Sequence, residues 1–373
     1  MKPCQGSRTH HHHRSHPVTR REFLHGMGAA AAGLALAGCQ PKAPAAGPSS
    51  GTKSTVAITR AENYDPKLIR KQVETLFDGL GGISDILAHG NRVAIKTNLT
   101  GGTSAKPLPG IKEIDSYLTH PEVIKAVCEL LRDAGVKDLY IVEAVYELES
   151  WPHYEYIEMA KAVGATLIDL NDPAPYKDFI KVKPGTEKPT YDEYIINPIL
   201  TEIDAFVSVS KMKCHNVAGV THTMKNLFGL VPYRSYTLNP QDTYRSAFHG
   251  QAGETGKRVP NIIADLNKAR PIHLSVIDGI LTTEGGEGPW ITGLTPIKPN
   301  VLFAGKDPVA TDAVATAAMG FDPEADYPNE PFVHGVNHLN IAAKMGMGTN
   351  NLDEIKVVGP AIQDIVKKFS PSY

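Results

Sequence analysis

Cysteine is scarce in this chain, which has four in 373 residues. Two of them, Cys128 and Cys214, fall in the body of the sequence, and no cysteines form a CxxC pair. This spacing excludes an iron–sulfur cluster or a structural zinc site built only from thiolates of this chain. Cys128 follows Val127 in a helical apolar pattern, so we expect it to pack as a small core residue.

A marked charge of either sign and a long apolar run are also lacking. The chain carries 38 Lys and Arg residues against 40 Asp and Glu residues, for a formal net charge of −2. Because general nucleic-acid-binding proteins carry a clear basic excess, we predict no nucleic-acid partner. No unbroken apolar run reaches about 18 residues, so we expect no ordinary transmembrane helix. The hydrophobic content of 42% is typical of a globular protein.

The N-terminal segment has the pattern of a targeting signal. The sequence TRREFL at Thr19–Leu24 resembles a twin-arginine signal, and the weakly hydrophobic region Gly26–Ala37 fits its apolar part. The sequence LAGC that ends at Cys39 resembles a bacterial lipobox, in which the cysteine is lipidated and begins the mature protein. We therefore predict a signal peptide over residues 1–39 and export by the twin-arginine route. A lipid anchor would then hold the protein at the cell envelope, in the periplasm or on the outer face of the cytoplasmic membrane.

The remaining chain divides into a linker and a folded domain. Residues 40–54 are rich in Pro, Ala, Gly and Ser, which predicts a disordered tether. Over residues 55–373, short apolar runs alternate with helical patterns. The runs Arg92–Lys96 and Leu139–Val142 flank a predicted helix that begins at Pro121, as in a βαβ unit with parallel strands. We predict an α/β fold with a mainly parallel sheet and flanking helices, and a division into two lobes around a cleft stays open.

The stretch Phe206–Val231 holds the densest group of candidate site residues. An apolar strand is followed by a polar loop and then by a short helix, with Thr221 as the predicted N-cap. In α/β folds the loop after a strand lies where ligands bind, and a helix N-terminus offers free N–H groups to an anion. A solvated rim is the alternative interpretation. The stretch brings together three lysines and an imidazole: Lys211, Lys213, Lys225 and His215.

Polar residues follow other predicted strands as well. Lys96 ends one strand and is either an anion ligand or an edge lysine, and Asn98 follows it. Asp278 ends another strand, and Glu284 and Glu287 lie in the Gly-rich loop after it. Such carboxylates bind a divalent cation, act as acid and base, or simply form turns.

Two histidines near the C-terminus have the spacing of one helix face. His334 and His338 are four residues apart, which would suit a metal pair. The intervening Gly335 and Val336 weaken the helix prediction. A metal pair at these positions is therefore the less favoured interpretation.

Several segments resemble domain-of-unknown-function family 362. The longest is KMKCHNVAGVTHTMKNLFGLVP, which contains the candidate loop. The resemblance identifies residues 55–373 as a domain of this family but implies no activity, because the family has none assigned. Some members are fused to ferredoxin-like domains, which implies a redox partner among iron–sulfur electron carriers. The other segments follow in family order at Lys96–Leu99, Thr119–Gly135, Asp278–Pro289 and Gly305–Ala315.

A second resemblance concerns His215, Gly219 and Lys225. Their spacing resembles a loop of nickel-pincer lactate racemases, in which the lysine at the position of Lys225 carries the cofactor. The flanking glycines of those racemases are absent here. The cofactor of this chain thus stays unknown, with a divalent metal as the candidate.

Two classes of function follow from these observations. In the first, the protein is an exported enzyme that acts on a small anionic substrate. In the second, it is a lipid-anchored protein that binds a solute or metal without turnover. For the enzyme we predict that His215, Lys225 and Glu284 are catalytic, that Lys96, Asn98, Lys211, Lys213 and Asn226 bind the substrate, and that Asp278 and Glu287 hold the metal.

Overall fold

A computed structural model of the chain describes residues 53–373, except residues 89, 104, 106, 107, 109 and 110. The predicted signal peptide, Cys39 and linker residues 40–52 lie outside this part of the chain. The described residues belong to one compact unit, so they are not divided into the two lobes that the sequence left open. No helix among them is long and apolar enough to cross a membrane.

Strands and helices alternate along the described residues. The strands are β1 (Ser54–Arg60), β2 (Arg92–Lys96), β3 (Asp138–Glu143), β4 (Thr166–Asp169), β5 (Ile180–Val182), β6 (Tyr194–Ile196), β7 (Ala205–Lys211), β8 (Cys214–His215), β9 (Gly219–Val220), β10 (Leu274–Gly279), β11 (Thr282–Glu284), β12 (Thr295–Ile297), β13 (Val301–Gly305) and β14 (Ile355–Val358). The helices are α1 (Pro66–Gly79), α2 (Pro121–Asp133), α3 (Ser150–His153), α4 (Tyr156–Val163), α5 (Ile199–Glu202), α6 (His222–Asn226), α7 (Ser246–His249), α8 (Thr255–Ala269), α9 (Pro308–Ala318) and α10 (His338–Lys344).

The main sheet has eight strands in the order β14-β1-β13-β10-β7-β2-β3-β4. Strand β13 is antiparallel to both of its neighbours, and every other adjacent pair in the sheet is parallel. The predicted mainly parallel α/β fold is confirmed. Because β2, β3, β7 and β10 are parallel neighbours, their carboxyl ends meet at one edge of the sheet.

The sheet is covered by helices on both faces. Successive residues of a strand point to opposite faces, and β7 is buried at every position. Val207 and Val209 pack in one cluster with residues of α1 and α2. Phe206 packs on the other face with residues of α6 and α8. This double burial explains why β7 carries apolar side chains on both faces, together with the small buried residues Ser208 and Ser210.

The sequence prediction fails at the C-terminus. The period of residues 361–369 predicts a closing helix, but the structure has only a 3₁₀ turn at Ile362–Asp364. Beyond this turn the backbone N–H groups of Lys367 and Phe369 donate to the carbonyls of Ala318 and Met319 at the end of α9. The segment therefore packs Phe369 into the core through bonds to another element, which replace those of a helix.

Candidate functional site

Lys96 and Glu143 form a buried ion pair at the carboxyl edge of the sheet. They end the neighbouring strands β2 and β3, and Lys96 Nζ lies 2.7 Å from Glu143 Oε2. The backbone N–H groups of Leu99 and Ala144 also donate to this carboxylate. Gly229 passes over the pair so closely that a Cβ at this position would lie 2.3 Å from Glu143 Oε1. The site thus requires glycine there, and the two charges balance each other.

Two asparagines connect this ion pair with a second lysine. Asn226 Oδ1 accepts hydrogen bonds from Lys96 Nζ at 3.3 Å and from Asn98 Nδ2 at 3.1 Å. Asn98 Oδ1 accepts one from Lys213 Nζ at 2.9 Å, and the buried Lys213 also donates to the carbonyl of Tyr117 at 2.6 Å. Four of the predicted substrate-binding residues are joined in one network. Within the described residues, Lys213 has only neutral acceptors.

Lys211 and Asp278 form a separate internal pair. Lys211 Nζ lies 2.9 Å from Asp278 Oδ2, and neither side chain is exposed. Tyr64 OH lies 2.8 Å from Lys211 Nζ and donates to Asp278 Oδ1 at 3.0 Å. The backbone N–H groups of His120 and Ile280 donate to the same carboxylate. The predicted substrate ligand and the predicted metal ligand are therefore engaged with each other inside the sheet.

His215 is held in one tautomer by the hairpin β8–β9. Its Nδ1 accepts hydrogen bonds from the backbone N–H groups of Val217 at 3.1 Å and Ala218 at 3.2 Å. A ring nitrogen that accepts from N–H groups carries no proton, so the proton of the neutral ring is on Nε2. Burial and the charge of Lys225 hold the pKa of His215 well below its usual range. The ring is a neutral hydrogen-bond donor through Nε2.

Lys225 lies in α6 with its ammonium group next to an aromatic ring. Its Nζ is 4.1 Å from the centroid of Phe228, a cation–π contact. With the residues that the structure describes, it forms no hydrogen bond and no ion pair. Burial lowers the pKa of Lys225 to about 8 and the pKa of Lys213 to about 7. Both amines are therefore partly deprotonated near neutral pH.

Two further imidazoles share the surroundings of Lys225. Burial and the Lys225 charge lower the pKa of His249 to about 4 and of His338 to about 3, so both rings are neutral. The sequence did not single out His249, which follows a polar stretch without periodicity. His338 stood out only as a metal partner of His334, and the structure leaves His334 exposed while burying His338 completely.

Glu287 is a carboxylate that faces the two lysines. Its Oε2 accepts a hydrogen bond from the backbone N–H of Asn216 at 3.0 Å, and its Oε1 accepts one from Trp290 Nε1 at 3.2 Å. Its charge raises the pKa of Lys213 and Lys225 against the larger effect of burial, but it forms no ion pair with either among the described residues. We use the name lysine site for Lys213, Lys225, His215, His249 and Glu287.

Glu284 has a different set of contacts. Its Oε2 accepts a hydrogen bond from the backbone N–H of Ser370 at 2.7 Å, and its Oε1 accepts one from Thr295 Oγ1 at 3.3 Å. Glu284 and Thr295 are paired in the hairpin β11–β12. These contacts fasten the C-terminal segment to the hairpin and occupy both carboxylate oxygens of this predicted catalytic residue.

The two predicted metal ligands have separate partners. Asp278 is bonded to Lys211 and Tyr64, and Glu287 is bonded to Asn216 and Trp290. In the described part of the chain, no three or more His, Cys, Asp or Glu side chains are grouped to hold a metal ion.

Asp312 is a functional residue that the sequence analysis missed. From α9 it accepts hydrogen bonds from the backbone N–H groups of Thr223 and Met224, both at 2.9 Å. It thereby caps α6, whereas the predicted N-cap Thr221 makes no capping bond and its buried hydroxyl has no partner among the residues that the structure describes. A carboxylate among the apolar residues of α9 was the available signal, because a buried Asp needs donors from another element.

Comparisons with known proteins match large parts of the chain. The sequence model of the family described as Domain of unknown function (DUF362) matches residues 93–317. A thylakoid-associated protein of Synechocystis sp. is 26% identical over 271 residues, which make up 72% of this chain and 75% of that protein. The lactate racemase apoprotein from Thermoanaerobacterium thermosaccharolyticum is 12% identical with a TM-score of 0.36, over 67% of this chain and 55% of that one. The matched family region contains the lysine site but not His338.

Proposed function

The chain belongs to the family described as Domain of unknown function (DUF362), and because this description states no activity, we propose a function from the lysine site: the protein is an enzyme that binds and transforms a small anionic substrate there. One observation carries the proposal. The buried Lys213 and the half-buried Lys225 meet no carboxylate at ion-pair distance among the described residues.

The charges around the site leave a positive excess. The carboxylates that act on its cations are Glu143 and Glu287, each of which carries one negative charge. An unbalanced buried charge is costly, so an anion is the ligand that would lower the energy of the site most. A cation would meet net repulsion there. Lys211 also acts on Lys213, but Asp278 balances its charge. The other cationic side chains around the site are Lys96, Lys213, Lys225 and Arg245.

The site also has groups suited to a reaction. Lys225, with a pKa of about 8, is present both as an ammonium and as a free amine near neutral pH, which suits proton transfer to or from a bound anion. His215 would donate a hydrogen bond from Nε2 to an oxygen that gains charge. Glu287 would accept a hydrogen bond from the opposite side. We also propose, from the N-terminal motifs, that the enzyme works outside the cytoplasm on a lipid anchor.

Anion binding can be tested with one variant and one matched control. The thermal unfolding midpoint would be measured with a panel of small carboxylates and phosphates at constant ionic strength. We expect one class of anion to raise the midpoint of the wild type and of Lys188→Met, an exposed lysine, but not that of Lys225→Met. Equal stabilisation of all three proteins would contradict binding at the lysine site.

Turnover separates an enzyme from a solute-binding protein. The anion that stabilises the protein would be incubated with it and followed by NMR for product. We expect conversion by the wild type and a rate lower by about 10²–10³-fold in His215→Ala, which removes the Nε2 donor. Recovery of the unchanged anion, with binding intact, would instead identify a lipid-anchored binding protein.

A further inference from the structure

His338 is a buried imidazole without a hydrogen-bond partner. It begins α10, its side chain is 0% exposed, and neither ring nitrogen is bonded to a described residue. The carbonyl of Ala218 acts on the ring but makes no hydrogen bond with it. The ring packs edge-on against Phe332 and lies within range of the charge of Lys225. Because an unpaired buried polar group is costly, we expect a ligand at the lysine site to supply the missing partner.

Hydrogen-bond donors without acceptors are concentrated around Lys225. A charged lysine has three N–H donors; Lys225 uses none of them on described residues, and Lys213 uses two. His215 adds the N–H of Nε2, and a neutral His338 adds one ring N–H. Without the half-buried His249, the described residues thus offer about five free donors at the site, and about six with His338.

These numbers distinguish between classes of anion. A carboxylate has two oxygens with about four acceptor positions, whereas a phosphoryl group has three terminal oxygens and about six. When Lys213 and Lys225 are both protonated, the four cations and two carboxylates around the site leave an excess of two positive charges, and Lys211 is balanced by Asp278. We propose that the ligand at the lysine site carries a dianionic phosphoryl group, from free phosphate or a phosphate monoester, and that His338 is one of its ligands. This inference rests on the proposed function and names its substrate class.

An aromatic side chain next to the site provides a reporter. Trp290 is 47% exposed and is bonded through Nε1 to Glu287, which faces the lysines. The other tryptophan, Trp151, is only 7% exposed. Binding of an anion at the lysines should therefore change the fluorescence of Trp290.

The experiment measures affinity for four probes on the intact chain. Inorganic phosphate, glycerol 3-phosphate, malonate and acetate would be titrated at constant ionic strength, followed by tryptophan fluorescence and calorimetry. We expect one of the two phosphates to bind at least about tenfold more tightly than malonate or acetate, because malonate matches its charge but not its three-oxygen geometry. The tighter of the two phosphates identifies the source of the phosphoryl group.

Variants test the role of His338 separately from folding. His338→Leu removes an unpaired buried polar group, so the variant should fold with an unchanged or higher unfolding midpoint. We expect its phosphate affinity to fall about tenfold, whereas the control His334→Leu, at an exposed position, should bind like the wild type. Unchanged phosphate affinity in a folded His338→Leu would overturn the assignment of His338.

The outcomes distinguish this inference from the proposed function. Tighter binding of malonate or acetate than of either phosphate would overturn the phosphoryl class, while the lysine site would stand as an anion site. If no probe bound in a manner that depends on Lys225, the inference and the proposed function would both be wrong.

Discussion

Asp312 Oδ1 accepts two hydrogen bonds from Thr223, one from its backbone N–H at 2.9 Å and one from its hydroxyl at 2.5 Å. Asp312 lies in α9, and Thr223 lies in the first turn of α6. Lys225 and Asn226 follow two and three residues later on the same short helix. A carboxylate that is 89 residues away from Thr223 in the sequence therefore sets the position of Lys225 and Asn226.

Replacement of Asp312 by Asn should weaken the hydrogen bonds between α9 and α6. In the wild type the backbone N–H of Met224 donates to Asp312 Oδ2. The Asn amide can keep its oxygen toward Thr223, but its NH₂ group would then face the N–H of Met224. Two opposed donors cannot bond, and the cost of an unsatisfied buried group is about 1–3 kcal/mol. Urea unfolding should show this loss for Asp312→Asn and almost none for Asp353→Asn at an exposed position. Equal stability of both variants would contradict the cap.

The shifted pKa of Asp312 predicts how the stability of the protein depends on pH. Burial raises the pKa of Asp312 to about 7 from an ordinary value of 3.8. Between these two values the folded chain keeps a proton that the unfolded chain has released. The stabilising contribution is thus present at low pH and is lost as the pH rises through about 7.

The comparison of wild type with Asp312→Asn isolates this contribution. We expect the stability difference to shift by about 1–3 kcal/mol in favour of the wild type when the pH falls from about 8 to about 5. Urea unfolding of both proteins at several pH values measures it. A difference that is the same at all pH values would show that Asp312 does not titrate in this range.

Lys225→Met should stabilise the protein while it removes anion binding. Methionine keeps an apolar stem against Phe228 and takes away a half-buried charge that Glu287 only partly offsets. The pKa of Lys225 is lowered to about 8 from 10.5, so the charge penalty is full below pH 8 and is relieved as the pH rises toward 10.5.

The unfolding midpoint of Lys225→Met should therefore exceed that of the wild type most clearly near neutral pH. Near about pH 10 the two midpoints should approach each other. The control Lys188→Met, which removes an exposed lysine, should match the wild type at both pH values. A midpoint of Lys225→Met below the wild type at neutral pH would mean that the ammonium has a counter-charge in the folded protein.

Removal of one partner should destabilise the protein far more at the buried ion pair of Lys96 and Glu143 than at an exposed ion pair. Glu143→Gln leaves the Lys96 ammonium buried without its carboxylate, which costs about 3–5 kcal/mol. The double variant Lys96→Met/Glu143→Leu removes both charges and should recover most of this loss. Unfolding in urea measures all three proteins.

An exposed ion pair provides the control for this comparison. Glu158 lies 2.8 Å from Lys161, but both side chains are more than half exposed. Glu158→Gln should leave stability nearly unchanged, because water screens such pairs. Similar losses in Glu143→Gln and Glu158→Gln would show that burial does not strengthen the dependence of Lys96 on its partner.

The sequence predicts the strands that carry this site better than it predicts the contacts of the site residues. The strand ends that carry Lys96 and Lys211 follow from short apolar runs between helical patterns, a local signal that the structure confirms. Pairing across the sheet is not local. The sequence placed Lys211 with Lys213 as a substrate ligand, but Lys211 is the register neighbour of Asp278 on β10 and forms its ion pair there.

The contributions of residues that are distant in the sequence could not be predicted from sequence patterns. Thr221 has the position and the side chain of an N-cap, yet Asp312 supplies the cap from α9. His249 ends α7 and His338 begins α10, so neither lies in the loop or the helix that carries Lys213 and Lys225. Their role depends on tertiary packing, which periodicity and spacing do not encode.

His215 offers the sharpest test of the site geometry. Two backbone N–H groups, of Val217 and Ala218, donate to its Nδ1, so a second proton there would face both of them. Burial and the Lys225 charge disfavour the same proton and hold the pKa of His215 well below its usual range. We expect ¹⁵N NMR of the imidazole to show the Nε2–H tautomer, without titration, from about pH 5 to about pH 8.

In Lys225→Met the loss of the nearby charge should raise the pKa of His215, although burial still keeps it low. The exposed His334 serves as the internal reference in the same spectra. A His215 that titrates between about pH 5 and about pH 8 would mean that the hairpin does not fix its tautomer. The ring would then be free to act as a general base, and the role of a neutral donor would be wrong.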